Sequence, residues 1–205
     1  MNPGVTEDEL RRPAGFATRS QLGVKFVETP RTLEAVPQQI PLWFVAASLA
    51  VPVVACWIWL ILFAPRRGNV PELWWFGVLA AMVAPALLFI FHAMNRTERD
   101  KGKLFVLDMT TGELDLPRLK TKLTAAQVRE VIELRGWANV RSEIGKFAEI
   151  SVLAQVDGGP LRRYPLVFDS NYPRGLRAPA KRLAEHFRVP HRVIETPYSE
   201  MQRYE

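Results

Sequence analysis

From Ala35 to Pro65 the chain carries no charged side chain, and a second run without Asp, Glu, Lys or Arg extends from Leu73 to Met94. A helix over Leu42 to Phe63 would be roughly 33 Å long, enough for a bilayer core. A cleaved signal sequence would put a shorter apolar stretch close to the start, behind a few basic residues. Here nearly forty polar, proline-containing residues come first, so the segment is expected to be a retained anchor. The expectation is a transmembrane helical hairpin over 40–95, with spans 42–63 and 73–94. Trp43, Trp74 and Trp75 sit at the ends of the runs, where an indole keeps its ring among headgroups and its N–H wet. Pro52 and Pro85 fall near the helix centres, where each deletes a backbone hydrogen bond. With no ionisable residue at hydrocarbon depth, they are read as packing kinks and not as a transport path.

Only Ala64 to Glu72 separates the runs, so both flanks are expected on one side of the membrane. The loop carries Arg66 and Arg67, whereas the flanks carry Lys25, Arg31, Arg96, Arg99, Lys101 and Lys103. Basic residues gather on the cytoplasmic side of short loops, which predicts a cell-membrane protein with both termini and its soluble domain in the cytoplasm.

Segment 1–39 balances five basic against five acidic residues, while 96–205 has twenty against fifteen, so the formal net charge of +6 comes mostly from the C-terminal part. A modest excess of this kind fits a surface beside anionic lipid. A nucleic-acid patch would need clustered Arg and Lys with interleaved aromatics, and no nucleic acid is expected as partner. Cys56, the single cysteine, lies within the first run and permits no intramolecular disulfide.

After the second run the pattern changes to short alternating stretches separated by turn residues, predicting a β-rich domain over 103–195 and a polar tail over 196–205. Leu104–Leu107 and Glu113–Leu116 flank Asp108 to Gly112 as a hairpin, and Pro117 ends the second strand. Glu149 to Val156 and Leu161 to Phe168 flank Asp157-Gly158-Gly159-Pro160 as another. In Thr124 to Trp137, Thr124 and Gln127 have the spacing of a capping box, while Val131 to Trp137 suits a half-buried strand; a short helical turn entering a strand is expected. Leu176, Ala180, Leu183, Ala184 and Phe187 recur at helical spacing with Arg177, Lys181, Arg182, Glu185 and Arg188 on other faces. One amphipathic helix is predicted there, closed by Pro190.

The fold class expected is therefore α+β: a two-helix transmembrane hairpin, then a small antiparallel β domain closed by a C-terminal amphipathic helix. The order of hairpin anchor, Phe105–Asp108 paired with Glu113–Arg118, further strands and the helix containing Leu183-Ala184-Glu185-His186-Phe187 resembles the membrane-anchored bacterial domains of pleckstrin-homology-like (PH-like) fold. That resemblance covers about 103–190 plus the anchor. It implies a scaffold for protein or lipid-headgroup contacts and no reaction. The strand count is low for the full fold unless the Val24–Val27 stretch before the membrane adds a strand.

The chemistry-bearing residues form no recognisable reactive set. Asp157-Gly158-Gly159 suits a turn better than an anion cradle, and His186 and His191, with Pro190 between them, do not share a helix face as a zinc pair would. Ser142, Ser151 and Ser170 lack a nucleophile elbow, and Asp108 and Asp115 flank a turn. No catalytic residue, metal site or cofactor is expected, and the chain is read as a noncatalytic interaction or assembly module. Its expected partner is a membrane protein or a second copy. The alternative is a sensor of anionic lipid headgroups through Arg96, Arg99, Lys101 and Lys103, with Arg162, Arg163, Arg174 and Arg177 as further anion contacts. A membrane-bound enzyme comes third.

Overall fold

The structure, a computed structural model, describes the chain except residues 1–4, 14–17, 19, 21–22, 64–70, 141–142, 171–172 and 200–205. The Arg66-Arg67 loop and Ser142 thus lie outside the described residues. The chain forms two compact units, one of residues 39–100 and one that joins 1–38 to 101–205.

The first unit is a pair of packed helices, α2 (Leu42–Phe63) and α3 (Pro71–Asp100). In α2 the stretch Leu42–Trp59 is long and apolar enough to cross a membrane, and no second stretch of that kind is found among the described residues. The expected two-helix transmembrane hairpin is corrected accordingly. The second apolar run is part of a 30-residue helix that continues through Met94 into Asn95–Asp100. Nothing in that segment stops helix propagation, since it contains neither Gly nor Pro, and the Thr97 hydroxyl folds back to donate to the Ala93 carbonyl at 2.9 Å. Asn95 is buried and clamps the approach to α2: its Oδ1 accepts from the Ile40 N–H at 3.1 Å and its Nδ2 donates to the Ile40 carbonyl at 2.7 Å.

The second unit opens with α1 (Glu7–Arg11), whose N-cap Thr6 and Glu9 exchange the two bonds of a capping box. Strands β1 (Val24–Glu28) and β2 (Thr32–Pro37) follow, and after the helices come β3 (Phe105–Asp108), β4 (Leu114–Leu116) and β5 (Thr121–Leu123). These five form one antiparallel sheet in chain order. Its centre is the pairing of β2 with β3, which sets Leu33 beside Leu107 and Ala35 beside Phe105 across the whole helical insertion.

The remaining elements are β6 (Val128–Val140), β7 (Glu143–Gln155), β8 (Leu161–Asp169), α4 (Arg177–Phe187) and β9 (His191–Ser199). They build a four-stranded sheet in the order β8-β7-β6-β9, in which β9 runs parallel to β6. Two features depart from the antiparallel, PH-like arrangement expected from the sequence. The strands divide between two sheets, one of them mixed, and α4 is followed by a strand that pairs, so it is not the closing C-terminal element. Residues past Pro190 alternate across the strand and find an open edge of β6, which gives their backbone groups partners that a frayed tail would lack.

Alternation divides the four-stranded sheet into two faces. On one face Val131, Ala148, Ile150 and Val152 meet Leu176, Ala180, Leu183, Ala184 and Phe187 of the α4 segment and the apolar side of the five-stranded sheet in one core. On the other face Ile132 and Leu153 pack under Leu10 of α1, and Phe147 stacks on Phe168 at 5.5 Å between ring centroids. A buried polar group also holds α1 there. Glu149 is fully buried and accepts from the Ser151 hydroxyl at 2.6 Å and from Arg163 at 2.8 Å. The other terminal nitrogen of Arg163 donates to the carbonyls of Glu9, Leu10 and Arg12 at 2.9, 3.1 and 2.8 Å.

The β3–β4 turn gives a pH-dependent prediction. Asp108 Oδ1 accepts from the Thr110 N–H at 2.7 Å and from the Thr111 N–H at 3.2 Å, and these donors, Thr110 first, hold its carboxyl below the ordinary aspartate range. A folded-state pKa below the unfolded value of about 3.9 makes the stabilisation complete above that pH. It disappears as pH falls through the folded value. Asp108→Ala should therefore lower the melting temperature at neutral pH and approach the parent's on acidification. Thermal melts at both pH values check this, and an equal gap at both would contradict it.

Candidate anion-binding cleft

Near the ends of β6 and β7 a cleft of about 810 Å³ opens on the α4 side of the four-stranded sheet. Strand alternation puts Glu133, Arg135 and Trp137 on that side. The register then sets Lys146 beside Trp137 on one neighbour and Glu195 beside Arg135 on the other. The short 3-10 turn Pro173–Leu176 and the first residue of α4 bring Arg174 and Arg177 to the same cleft. Four of the described lining side chains, Arg135, Lys146, Arg174 and Arg177, are cationic, against the single carboxylate of Glu195.

The cations differ in how they are held. Arg135 is fixed from below, because its Nε donates to Glu133 Oε1 at 2.6 Å and that carboxylate is fully buried. The other oxygen of Glu133 lies 3.3 Å from His191 Nε2. Lys146 Nζ stands 5.0 Å from the centroid of the Trp137 ring, a cation–π distance. Among the described residues Arg174 and Arg177 form no ion pair, so they bring uncompensated charge to the rim.

Gly136 explains how β9 comes so close. A Cβ at that position would lie 2.4 Å from Thr196 Cγ2 and 2.6 Å from the Thr196 carbonyl, so any side chain there would push β9 outward. The register shifts at this point, between Gly136 and Ala138. A second groove of about 500 Å³ shares Arg177 and runs between α4 and β9, lined by Lys181, Arg188 and His191 among others.

Of the residues singled out in the sequence, Arg174 and Arg177 reach this cleft. The others are elsewhere. Arg163 is spent on the Glu149 network and α1, and Arg162 pairs with Ala154 in the β7–β8 register. Arg96 and Arg99 lie in the last turns of α3, where Arg96 is 3.9 Å from Asp100. Lys101 is exposed beyond the helix, and Lys103 is 2.7 Å from Glu34 of β2. Sequence reasoning missed Arg135, Trp137, Lys146 and Glu195. The signal available was Gly136, an isolated glycine inside a strand pattern, which marks a bulge or close backbone approach. No group of three or more His, Cys, Asp or Glu suited to a metal ion occurs among the described residues. No protein-family model, no curated protein and no solved structure matches this chain.

Proposed function

We propose that the chain is a noncatalytic, membrane-anchored interaction module whose recognition surface is the basic cleft, and that it takes an anionic group there. The observation that carries the reading is the convergence of Arg135, Lys146, Arg174 and Arg177, from three separate parts of the chain, on one cleft. Holding four cations together costs electrostatic free energy that an anion relieves, and guanidinium groups match phosphate and carboxylate oxygens bidentately.

Anchoring is supported by α2, with its membrane-length apolar stretch, and by the apolar side chains both helices expose, among them Phe44, Val51, Ile61, Leu79, Met82 and Phe89. Since β2 and β3 are paired neighbours, the residues before α2 and after α3 belong to one folded unit. The basic residues flanking the helices favour the cytoplasmic side for it.

Two measurements test this. Carbonate washing should leave the chain in the membrane fraction, and release into the supernatant would defeat the anchoring. The full chain in phosphatidylcholine nanodiscs should bind inorganic pyrophosphate in a salt-sensitive way, and Arg174→Ser with Arg177→Ser should weaken that binding about tenfold or more. Absent binding, or equal binding by the double variant, would defeat the cleft as an anion site.

A further inference from the structure

The cleft is larger than an anion needs. Its volume of about 810 Å³ lies within the range of small-molecule sites, about 300–1,000 Å³. Two of the described lining residues are also unnecessary for binding a bare phosphate. Trp137 is 44% exposed although large and aromatic, and it shares the strand face of Arg135. Lys146 stands over its ring, and the exposed remainder of the indole offers a surface to something flat. Glu195 puts a carboxylate among four cations, where it would oppose an anion but accept hydrogen bonds from hydroxyl groups. An anion at one end, a ring against Trp137 and hydroxyls against Glu195 describe a single kind of ligand.

We infer that the cleft binds a phosphorylated, hydroxyl-bearing ring of the sugar-phosphate class, with the phosphate on Arg135, Arg174 and Arg177 and the ring against Trp137. This rests on the cleft being the recognition surface for an anion. The buried Glu133 contributes by orienting Arg135, whose Nε and Nη2 it holds, so that Nη1 is left for phosphate oxygens. The close approach of Thr196 to Gly136 keeps β9, with Glu195, against β6. The ligand can be free or the headgroup of a lipid, because both present a phosphate ester beside a hydroxyl-bearing ring.

The test uses the full chain in phosphatidylcholine nanodiscs, titrated calorimetrically with glucose 6-phosphate, ribose 5-phosphate and the acyclic glycerol 3-phosphate. At least one ring phosphate is expected to bind about tenfold tighter than glycerol 3-phosphate. Trp137→Leu should remove that preference, and a near-ultraviolet spectrum and melting temperature close to the parent's show that the variant is folded. Equal binding of ring and acyclic phosphates, or a preference unchanged in Trp137→Leu, overturns the inference while pyrophosphate binding keeps the anion site standing. Failure of every probe, pyrophosphate included, removes both. Two further nanodisc preparations, with phosphatidylinositol or with equally charged phosphatidylglycerol, separate the sources once a ring preference is found. Competition by phosphatidylinositol alone assigns the ring to a lipid headgroup, and undiminished binding in both assigns it to a free sugar phosphate.

Discussion

Replacing Arg163 by Met should destabilise the β-rich unit by about 3–5 kcal/mol, among the largest effects available to a side chain outside the main core. The guanidinium is nearly inaccessible and lies 2.8 Å from the fully buried carboxylate of Glu149. Removing it takes away the cation that offsets the desolvation of that carboxylate. The three carbonyls of Glu9, Leu10 and Arg12 lose their donor at the same time. In a chain of this size the loss corresponds to a drop in melting temperature of roughly 10 °C. Two readouts separate the parts of the effect. Limited proteolysis should cut the variant early, near α1, and adding Glu149→Leu should recover much of the melting temperature, because an apolar pair needs no desolvation. A variant that melts with the parent would show that the network contributes nothing net.

The second large effect belongs to Leu183. It is fully buried in α4, in the core shared by both sheets. Leu183→Asp forfeits the burial of the leucine and strands a carboxylate where no cation was arranged for it, a cost of about 4 kcal/mol or more. Leu183→Met keeps the volume and should cost less than about 1.5 kcal/mol. The comparison is made on the full chain, by thermal unfolding followed through the near-ultraviolet signal of its buried aromatics. Since the cleft takes Arg177 from the same helix, the aspartate variant should also lose pyrophosphate binding and the methionine variant should keep it. Similar melting of the parent and Leu183→Asp would mean that this face of α4 is not core.

What the sequence made legible was local. The apolar run of α2 is written in consecutive residues, and so are the β3–β4 and β7–β8 hairpins, where Asp108-to-Gly112 and Asp157-Gly158 supply the turn chemistry. Asp157, Gly112 and Gly158 have φ of 49°, 71° and 70°, the left-handed conformations that those residue types tolerate. The stripe from Leu176 to Phe187 read directly as the buried face of α4. What stayed hidden depends on pairing between distant segments. Thr32–Pro37 blends into the start of an uncharged run, and only its partner β3 makes it a strand. His191–Ser199 follows a proline and holds another at Pro197, so its local signal is poor, and its parallel pairing with β6 supplies the order. The end of α3 was misplaced at Met94 because a boundary in polarity was read as a boundary in conformation, although residues 95–100 are good enough helix formers to continue it.

The cleft follows the same division. Arg174 and Arg177 are neighbours in the chain and could be singled out together. Arg135 and Lys146 meet only because β6 and β7 pair in a register that sets Trp137 opposite Lys146, and a shift of one residue would turn Arg135 to the α1 face. The proposed anion site is thus a property of strand register, invisible to any window of sequence.

The pairing of β2 with β3 also governs when this molecule can fold during its synthesis. Leu33 leaves the ribosome long before Leu107, its neighbour in the finished sheet, and most of the chain between them belongs to the helical insertion. Until that insertion is complete, β1 and β2 can form only an isolated hairpin, which is marginal in water, with an open edge that has no partner. Closing the gap costs loop entropy that grows only slowly with the length of the insertion, but the contacts that repay it all lie downstream of Lys103. The helices are therefore finished first and the five-stranded sheet is zipped afterwards, so the order of events is set by strand connectivity more than by the stability of either unit.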